Sequence, residues 1–404
     1  MNFKQCIFFT DSYPYDIYFE QFIENEASYL SKAFDKVYVF PANIKDTQRE
    51  YPSNFEIVDL NKLSNFSKIN ILKAIPFALI TILVELYYAK HKIIYFKCFL
   101  KKLKSSINAK ITSKTLNLWL NKNSINTKNT IAYSYWILHW MHVLHYTKKQ
   151  FPNLKTISRA HTEMNEEIND YGYVDFNFTK YSAANQIYCI SENAASCIKR
   201  DYPIVKDRIK VAYLGTIDKG FKENLQNNVF TIFTCSTIKP NKQIHKIVEI
   251  LSHVDFEIKW IHCGSGEGDY LDKLIKSINL LNKNVTVELR GYIKNELILD
   301  YYLNHKIDLF LNISITEGLP VSLMEAASFG IPLLGTNIFG TPEIVGYTKG
   351  VLIDLEFSPK EVALLIKKYY LSDSKIDRKE IRELWNKRFN AEKNYTSFIN
   401  QINN

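Results

Sequence analysis

The glutamates Glu317 and Glu325 are separated by seven residues in the stretch TEGLPVSLMEAASFGIPLLGT, residues 316–336. Carboxylates accept hydrogen bonds from hydroxyl groups, and the start of a helix offers free N–H groups and a partial positive charge to an anion. The first glutamate stands in the turn-forming run EGLP, and the second stands in the helix-forming run VSLMEAASF. The pattern predicts that this loop binds a ligand through anion or hydroxyl contacts. Two unrelated solvated glutamates are the alternative.

Three further loops contain residues suited to the same chemistry. Lys242, in CSTIKPNKQ, follows a strand and begins a helix, where an ammonium group can meet a diphosphate. Gly264 lies in the glycine loop CGSGEGDY, which permits close backbone approach but is neither a G-x-G-x-x-G fingerprint nor a P-loop. NIFGTPEIV brings Gly340 and Glu343 to another strand-to-helix turn. Each loop alone is ordinary turn chemistry, whereas four together favour a binding site.

These loops need a parallel sheet to bring them together. KIDLFLNIS is an apolar run typical of a strand buried on both faces, and IPLLGT is the next strand. With Gly330 at the end of the helix between them, the segment is predicted to be a βαβ unit. Because open parallel sheets bind ligands at the carboxyl ends of their strands, we expect the loops to share one edge.

Strand-like and helix-like runs alternate twice along the chain. The first half has strands in CIFFT, KVYVFP, TIAYSYW, KTISRAH and QIYCISE, and the alternation restarts at VFTIFTCST after the polar segment IDKGFKENLQNN. The predicted fold class is α/β, with two doubly wound Rossmann-like domains facing across a cleft. The predicted parts are a first domain at 1–217, a linker at 218–228, a second domain at 229–375 and a helical tail at 376–404 that packs on the first domain.

The bulk composition fits a two-domain globular protein of 404 residues. The six cysteines are scattered without a C-x-x-C pair, and the first residues resemble a strand rather than a secretory leader. We therefore expect a cytoplasmic protein with reduced thiols.

The net charge of +9 is concentrated in one span, since residues 86–162 contain fourteen Lys and Arg residues and no Asp or Glu. Just before it, AIPFALITILVELYYA is apolar but shorter than the roughly 20 residues of a bilayer span. This segment is either a buried helix or a helix that docks, with the lysines behind it, on an anionic membrane surface at the inner face of the cytoplasmic membrane. Nucleic acid is not an expected partner, because no finger, helix-turn-helix or RNP pattern occurs.

Together, these motifs resemble the glycosyltransferase family 4 enzymes, which are retaining, nucleotide-sugar-dependent transferases of the GT-B fold. EGLPVSLMEAASFGIPLLGTNIFGTPEIV is similar to the family's E-x7-E segment and following turn, CSTIKPNKQIHKIVEIL to its phosphate-lysine segment, and ISRAH to its Arg-x-His segment. SYPYDIYFEQFIENEASYLSKAFDKVYVFP resembles the N-terminal region of the bacterial surface-polysaccharide branch. The resemblance implies a nucleotide-sugar donor and a glycan or lipid-linked acceptor in capsule or O-antigen synthesis.

The resemblance also implies roles for particular residues. Glu325 would hold the ribose hydroxyls of the donor, Glu317 would contact the transferred sugar, and Lys242 would hold the diphosphate together with the backbone of Gly318 and Leu319. His161 would line the reaction centre, so His161 and Glu317 are the expected catalytic residues. The further expected donor contacts are Gly264, Thr237, Ser236, Lys239, Arg159, Pro320 and Glu343.

Three departures from the family pattern keep other functions open. Thr237 stands where the family usually has an arginine, with Lys239 as the candidate substitute. After His161 the run is HTEMNEE instead of one with Gly and Asp, and the N-terminal loop DSYPYD contains no glycine. A nucleotide-sugar epimerase of the same fold and a non-catalytic partner in a membrane polysaccharide assembly are the alternatives to a transferase.

No cofactor or metal is expected, because the leaving diphosphate can be stabilised by Lys242 and a helix N-terminus and because no Asp-x-Asp pair occurs. His139, His142 and His145 recur every third residue in HWMHVLH. On a helix the third would rotate well away from the first, so the pattern is only a weak indication of a metal site.

Overall fold

The computed structural model describes residues 3–15, 20, 22–88, 98–161, 177–223, 225–372 and 376–403. The chain divides into two compact units, the first formed by Met1–Ala212 with Tyr395–Asn404 and the second by Tyr213–Asn394. The residues that follow His161 in HTEMNEE, and the lysines Lys90, Lys92 and Lys97 of the basic span, lie outside the described residues.

The first unit contains a seven-stranded parallel sheet, as the alternating pattern predicts. Its strands are β1 (Gln5–Thr10), β2 (Lys36–Pro41), β3 (Phe55–Ile57), β4 (Thr130–Ser134), β5 (Lys155–Ala160), β6 (Gln186–Cys189) and β7 (Ile209–Val211). The order β3-β2-β1-β4-β5-β6-β7 reverses direction between β1 and β4. The carboxyl ends of these two strands therefore form the topological switch point of the sheet.

Helices cover both faces of this sheet, which explains why its central strands β1, β4 and β5 are buried almost throughout. They are α1 (Ile23–Ala33), α2 (Leu60–Leu63), α3 (Lys68–Tyr88), α4 (Phe99–Lys122), α5 (His139–Gln150), α6 (Asn177–Ala183) and α7 (Glu192–Asp201), with a 3-10 helix at Pro203–Arg208. Helix α4 packs against both α3 and α5.

The second unit contains a six-stranded parallel sheet in the order β10-β9-β8-β11-β12-β13. Its strands are β8 (Phe230–Cys235), β9 (Ile258–Cys263), β10 (Val285–Leu289), β11 (Leu309–Asn312), β12 (Leu333–Thr336) and β13 (Val351–Ile353). The strand order reverses between β8 and β11, so these two strands form the switch point.

The helices that follow these strands complete the doubly wound pattern. They are α8 (Ile244–Leu251), α9 (Gly268–Ile278), α10 (Asn295–Asn304), α11 (Val321–Ser328), α12 (Thr341–Val345), α13 (Pro359–Ser372), α14 (Arg378–Arg388) and α15 (Ala391–Asn403), with a 3-10 turn at Pro240–Lys242. The chain returns to the first unit at Tyr395, within α15.

The βαβ unit predicted around the two glutamates is confirmed. All four residues of β11 are buried, and β11 pairs in parallel with β12. Gly330 follows α11 at φ +66°, and a Cβ atom there would lie 2.3 Å from Arg378 O. Glycine is therefore required at this turn by both its backbone conformation and its packing.

Candidate functional site

The switch point of the second sheet carries Lys242 and Glu317. Lys242 ends the 3-10 turn after β8, and Glu317 lies between β11 and α11. Lys242 Nζ lies 2.7 Å from Glu317 Oε1, and the two side chains are 21% and 12% exposed. The two predicted residues therefore form a partly buried ion pair at the edge where open α/β sheets bind ligands.

The Glu317 carboxylate is also held by its own loop. Ser314 Oγ donates to Glu317 Oε1 at 2.7 Å, and Asn312 Nδ2 donates to the same oxygen at 3.2 Å. The N–H group of Ile315 donates to Asn241 O at 2.8 Å, which fastens this loop to the loop after β8. The position of Glu317 is thus fixed by neighbours within the same unit.

Glu325 lies on α11 and is 7% exposed. Asn295 Nδ2, at the start of α10, donates to its Oε1 at 2.8 Å. Burial raises the pKa of the Glu325 carboxyl to about 7, although the Asn295 hydrogen bond acts in the opposite direction. Both protonation states are therefore present at neutral pH, and a hydroxyl group that donates to Glu325 favours the ionised one.

Two glycines bring the loops of this edge into contact. A Cβ atom at Gly264 would lie 1.7 Å from Ser236 O, and one at Gly340 would lie 1.9 Å from Gly318 O. Since no side chain fits at either place, the loops after β8 and β9 touch through their backbones, and so do those after β11 and β12. Of the predicted donor contacts, Gly264 therefore touches Ser236, and Gly318 touches Gly340 of the loop after β12. The side chain of Leu319, next to Gly318, is buried.

The other predicted donor contacts of the second unit lie in loops or on α12 and range from exposed to hydrogen-bonded. Thr237 and Lys239 are exposed between β8 and the 3-10 turn. Pro320 immediately precedes α11. Glu343, on α12, accepts a hydrogen bond from Tyr213 Oη at 2.8 Å. Glu343 is thus held by a side chain of its own unit.

His161 follows β5 in the first unit and is 5% exposed. Its ring centroid lies 4.2 Å from that of Trp136 and 5.1 Å from that of Tyr135. Both aromatic residues follow β4, so the histidine lies beside the switch point of the first sheet. The role that the resemblance gives His161 at the reaction centre stays a prediction.

The loop after β1, in the position of the family's glycine-rich loop, is closed by a carboxylate. Glu20, at φ +58°, accepts hydrogen bonds from the N–H groups of Asp11 at 3.0 Å, Ser12 at 2.7 Å and Tyr13 at 2.6 Å. Trp136 Nε1 donates to the same carboxylate. In the described part of this loop, the N–H groups of Asp11, Ser12 and Tyr13 are therefore satisfied by a side chain of the protein itself and not left for a phosphate.

Arg159, which the resemblance makes a donor contact, is a core residue of the first unit. Its side chain is fully buried. Nε lies 3.0 Å from Glu26 Oε2 and 2.8 Å from Tyr133 Oη, and Nη1 donates to Ala212 O at 2.9 Å. The Phe398 ring centroid lies 4.1 Å from the guanidinium carbon. An arginine surrounded in this way stabilises the first unit and is not accessible to a ligand.

Asn295 and Ser314 contact the two glutamates, yet the sequence reasoning missed both. The pattern of NELILDYYLN predicts only a helix, and Ser314 stands at the end of an apolar run. The available signal was position, because each residue follows a strand at the same edge of the sheet.

The three histidines of HWMHVLH all lie on α5. Within the part of the chain that the structure describes, no group of three His, Cys, Asp or Glu residues is arranged to hold a metal ion. Burial, assisted by the charge of Lys149, lowers the pKa of His145 to about 3. That histidine is therefore neutral at physiological pH.

The unit that contains Glu317 and Glu325 is similar to a known protein family. Residues 216–388 match the family model described as Glycosyl transferases group 1. The capsular polysaccharide biosynthesis glycosyltransferase CapH of Staphylococcus aureus is 30% identical over 160 residues, which are 38% of this chain and 42% of CapH. The chain spans less than half of the length of the curated relatives that it matches.

Solved structures resemble the chain over almost its whole length. HepE from Anabaena, in complex with UDP-glucose, matches with a TM-score of 0.65 and 13% identity over 98% of both chains. The lipopolysaccharide outer core galactosyltransferase WaaB matches with a TM-score of 0.69 and 13% identity, over 98% of this chain and 99% of that one. At such low identity the likeness shows the fold. Residues 216–388 are thus similar to the group 1 glycosyl transferases, and the chain has the GT-B fold.

Proposed function

We propose that this protein is a retaining glycosyltransferase that moves a sugar from a nucleotide diphosphate sugar to a glycan or lipid-linked acceptor in cell-surface polysaccharide synthesis. One observation carries the proposal. Lys242 and Glu317 meet at 2.7 Å at the switch point of the second sheet, and Glu325 is buried on the helix that follows Glu317. A donor molecule offers an anionic diphosphate between two sets of hydroxyl groups, which matches a cation paired with one carboxylate and a second carboxylate on the following helix.

Lys242 is suited to stabilise the leaving diphosphate without a metal. An ammonium group has three N–H donors, and one Glu317 oxygen occupies part of that capacity. The remaining donors can meet phosphate oxygens, while the N-terminus of α11 adds N–H groups and a partial positive charge. A preorganised cation in a partly buried site stabilises the charge that develops as the bond between sugar and diphosphate breaks.

On this proposal the acceptor hydroxyl attacks the anomeric carbon from the face that the diphosphate leaves. The bond from the anomeric carbon to the diphosphate oxygen breaks, a bond to the acceptor oxygen forms, and the departing phosphate takes the hydroxyl proton. The anomeric configuration is thereby retained. Glu317 holds hydroxyl groups of the transferred sugar, and Glu325 holds those of the ribose.

The test compares Lys242→Ala with Lys246→Ala, whose ammonium lies 3.6 Å from Glu249 on α8. UDP-glucose, the ligand of the neighbouring HepE structure, is the first donor probe, followed by other nucleotide diphosphate sugars screened by thermal shift. For the donor that stabilises the protein, Lys242→Ala is expected to lower turnover by about 10²–10³-fold. Lys246→Ala is expected to leave turnover unchanged, and equal turnover in all three proteins would refute the proposed site.

A non-catalytic partner in a polysaccharide assembly is the second candidate, and the closed loop after β1 favours it. Glu20 already occupies the N–H groups of Asp11, Ser12 and Tyr13. Transfer or hydrolysis of any nucleotide sugar by the purified protein would exclude this candidate. An epimerase would instead release nucleotide at the same rate when the acceptor is omitted.

A further inference from the structure

Helix α3 exposes an apolar face along its whole length. The described exposed apolar residues of this helix are Ile69, Leu72, Phe77, Leu79, Ile80, Leu83, Val84, Tyr87 and Tyr88. We call these side chains the α3 face. Helix α3 has a mean hydropathy of 2.0 over its most apolar window, and only 28% of that window is buried. Soluble proteins rarely expose so long an apolar surface, so the α3 face requires a partner.

The opposite side of α3 is fastened to the first unit. Thr81 Oγ1 lies 2.7 Å from Tyr146 Oη on α5. Glu85 is buried and accepts a hydrogen bond from the N–H group of Thr179 on α6. Among the described helices, α3 alone is long and apolar enough to cross a membrane. Its polar contacts on one side instead favour a helix that lies along a membrane surface.

The charges beside the α3 face are positive. Lys68 and Lys73 are exposed on the helix itself. Lys110 Nζ lies 4.3 Å from the Phe77 ring centroid, and Lys114 Nζ donates to Asn70 Oδ1 at 3.2 Å. Glu85 is the single acidic residue between positions 68 and 162 of the sequence. An apolar stripe flanked by lysines matches the apolar interior and negative headgroups of an anionic bilayer.

We propose that the α3 face lies in the interface of an anionic lipid bilayer, with the neighbouring lysines at the headgroups. The lipid surface is the occupant that this chemistry fits, because the α3 face offers no acidic side chain to a basic partner. The sequence pattern predicts a membrane contact through the basic span 86–162. The structure assigns the apolar part of that contact to α3.

The test measures sedimentation of the full chain with vesicles of phosphatidylcholine alone or mixed with phosphatidylglycerol. The variant Leu72→Glu/Leu83→Glu is compared with Leu280→Glu/Leu371→Glu, which alters two leucines of the second unit that are at least as exposed. Thermal unfolding of both variants confirms that they fold. We expect the first variant to bind mixed vesicles at least about tenfold more weakly and the second to bind as the unaltered protein does.

Raised salt is expected to weaken binding to the mixed vesicles. Equal vesicle binding by the two variants would overturn the proposal. So would equal binding of the unaltered protein to both kinds of vesicle. A concentration-dependent dimer that Leu72→Glu/Leu83→Glu abolishes, without vesicle binding, would identify a second copy of the chain as the partner and would equally overturn it.

A second observation carries a separate inference within the first unit. A cavity of about 390 Å³ lies at the carboxyl edge of its sheet, between one side of α4 and the start of α5. Its basic lining residues are Lys101, Lys104, His139 and His142, and the Trp140 ring contributes an aromatic wall. None of the described residues that line it is acidic. We infer that this cavity binds an anionic, phosphate- or carboxylate-bearing part of the sugar acceptor, an assignment that rests on the proposed function.

Inorganic diphosphate is the probe, titrated at constant ionic strength and followed by calorimetry. The titration uses protein that carries Lys242→Ala, so that binding at the second unit is weakened. In this background Lys101→Ala/Lys104→Ala is compared with Lys114→Ala/Lys122→Ala, two exposed lysines of the same helix outside the cavity. We expect at least about a fivefold loss of diphosphate affinity for the first pair and little change for the second.

Equal losses in the two pairs, or no measurable binding before substitution, would overturn the inference. The phosphate and carboxylate sources are then distinguished by competition with citrate. Because the readout is binding, it does not depend on sugar transfer. If only the Lys242 turnover test fails, the cavity would still be an anion-binding site, but its role in acceptor binding would be lost.

Discussion

Both sheets reverse their strand order once, yet the two switch points hold their charges differently. In the second unit Lys242 and Glu317 are partly exposed, so each can add a ligand to its existing partner. In the first unit the Glu20 carboxylate is buried and is saturated by three backbone N–H groups and Trp136. The same architecture therefore gives one switch point with an accessible ion pair and another at which the described carboxylate is satisfied by its own loop.

The buried arginine of the first unit extends this contrast. Arg159 and Glu26 are both 0% exposed and lie 3.0 Å apart. Lys242 and Glu317 form a similarly short pair that solvent can reach. A charged residue in a motif thus indicates a ligand site only when its neighbours leave part of it accessible. Stability measurements should separate the two kinds of pair.

The largest expected effect is on folding, from Arg159→Met. This change leaves Glu26 buried without its cation, and breaking such a pair typically costs about 3–5 kcal/mol of unfolding free energy. Chemical denaturation measures the loss. Arg200→Met is the control, because Arg200 is 66% exposed beside Asp201 and exposed ion pairs contribute little to stability. Similar stabilities of the two variants would contradict the structural role of Arg159.

The next largest expected effect is the loss of stability in Gly264→Ala, because Gly264 lies in backbone contact with Ser236 of the neighbouring loop. Gly264 has φ +148° and leaves only 1.7 Å between a Cβ atom and Ser236 O, whereas Gly268 has φ +68° and no atom within 4 Å of a Cβ. We expect Gly264→Ala to lower the unfolding free energy by about 2–4 kcal/mol through clash and backbone strain. Gly268→Ala is expected to cost about 1 kcal/mol, from its backbone conformation alone. An equal cost at both glycines would show that the loop adapts.

A smaller effect concerns pH, because burial raises the pKa of Glu325 to about 7. The folded protein retains the proton up to that pH, so this residue makes stability fall as pH rises from the unfolded value towards 7. Ribose hydroxyl groups favour the ionised carboxylate, so donor affinity should rise roughly eightfold from pH 6 to pH 7.5. Calorimetric titration at several pH values measures this slope.

Glu325→Gln should abolish the slope, since the amide does not titrate in this range. Glu343→Gln is the matched control and should retain it. A donor affinity that is independent of pH in the unaltered protein would show that Glu325 does not accept the donor's hydroxyl groups.

The sequence predicted the βαβ unit and the meeting of Lys242 with Glu317 because both follow from local patterns and parallel pairing. The run LFLN is buried on both faces, and Gly330 ends the helix as the turn chemistry requires. Strand ends of one sheet must share an edge, so the lysine and glutamate motifs meet although 75 residues separate them.

The burial and the hydrogen-bond partners of Arg159 and Glu20 could not be predicted in the same way. The Arg-x-His pattern gives the residue types, but Glu26 lies 133 residues before Arg159 and only the tertiary fold brings them together. DSYPYD shows the lack of glycine, yet the hydrogen bonds of Glu20 depend on its positive φ. Burial and contacts that form only in the folded chain decided both cases, and neither has a signal in the sequence pattern.

The smallest expected effect comes from Tyr213→Phe, which tests whether Glu343 contacts the donor, as is proposed for Glu317, or is satisfied by the protein alone, as Glu20 is. Tyr213 Oη donates to its Oε2 at 2.8 Å within the second unit. Tyr213→Phe removes this hydrogen bond and should lower the unfolding free energy by about 0.5–1.5 kcal/mol. If Glu343 is a self-satisfied carboxylate like Glu20, donor affinity measured by calorimetry stays unchanged. A clear loss of donor affinity would instead group Glu343 with Glu317, because the tyrosine would then be positioning a carboxylate that touches the ligand.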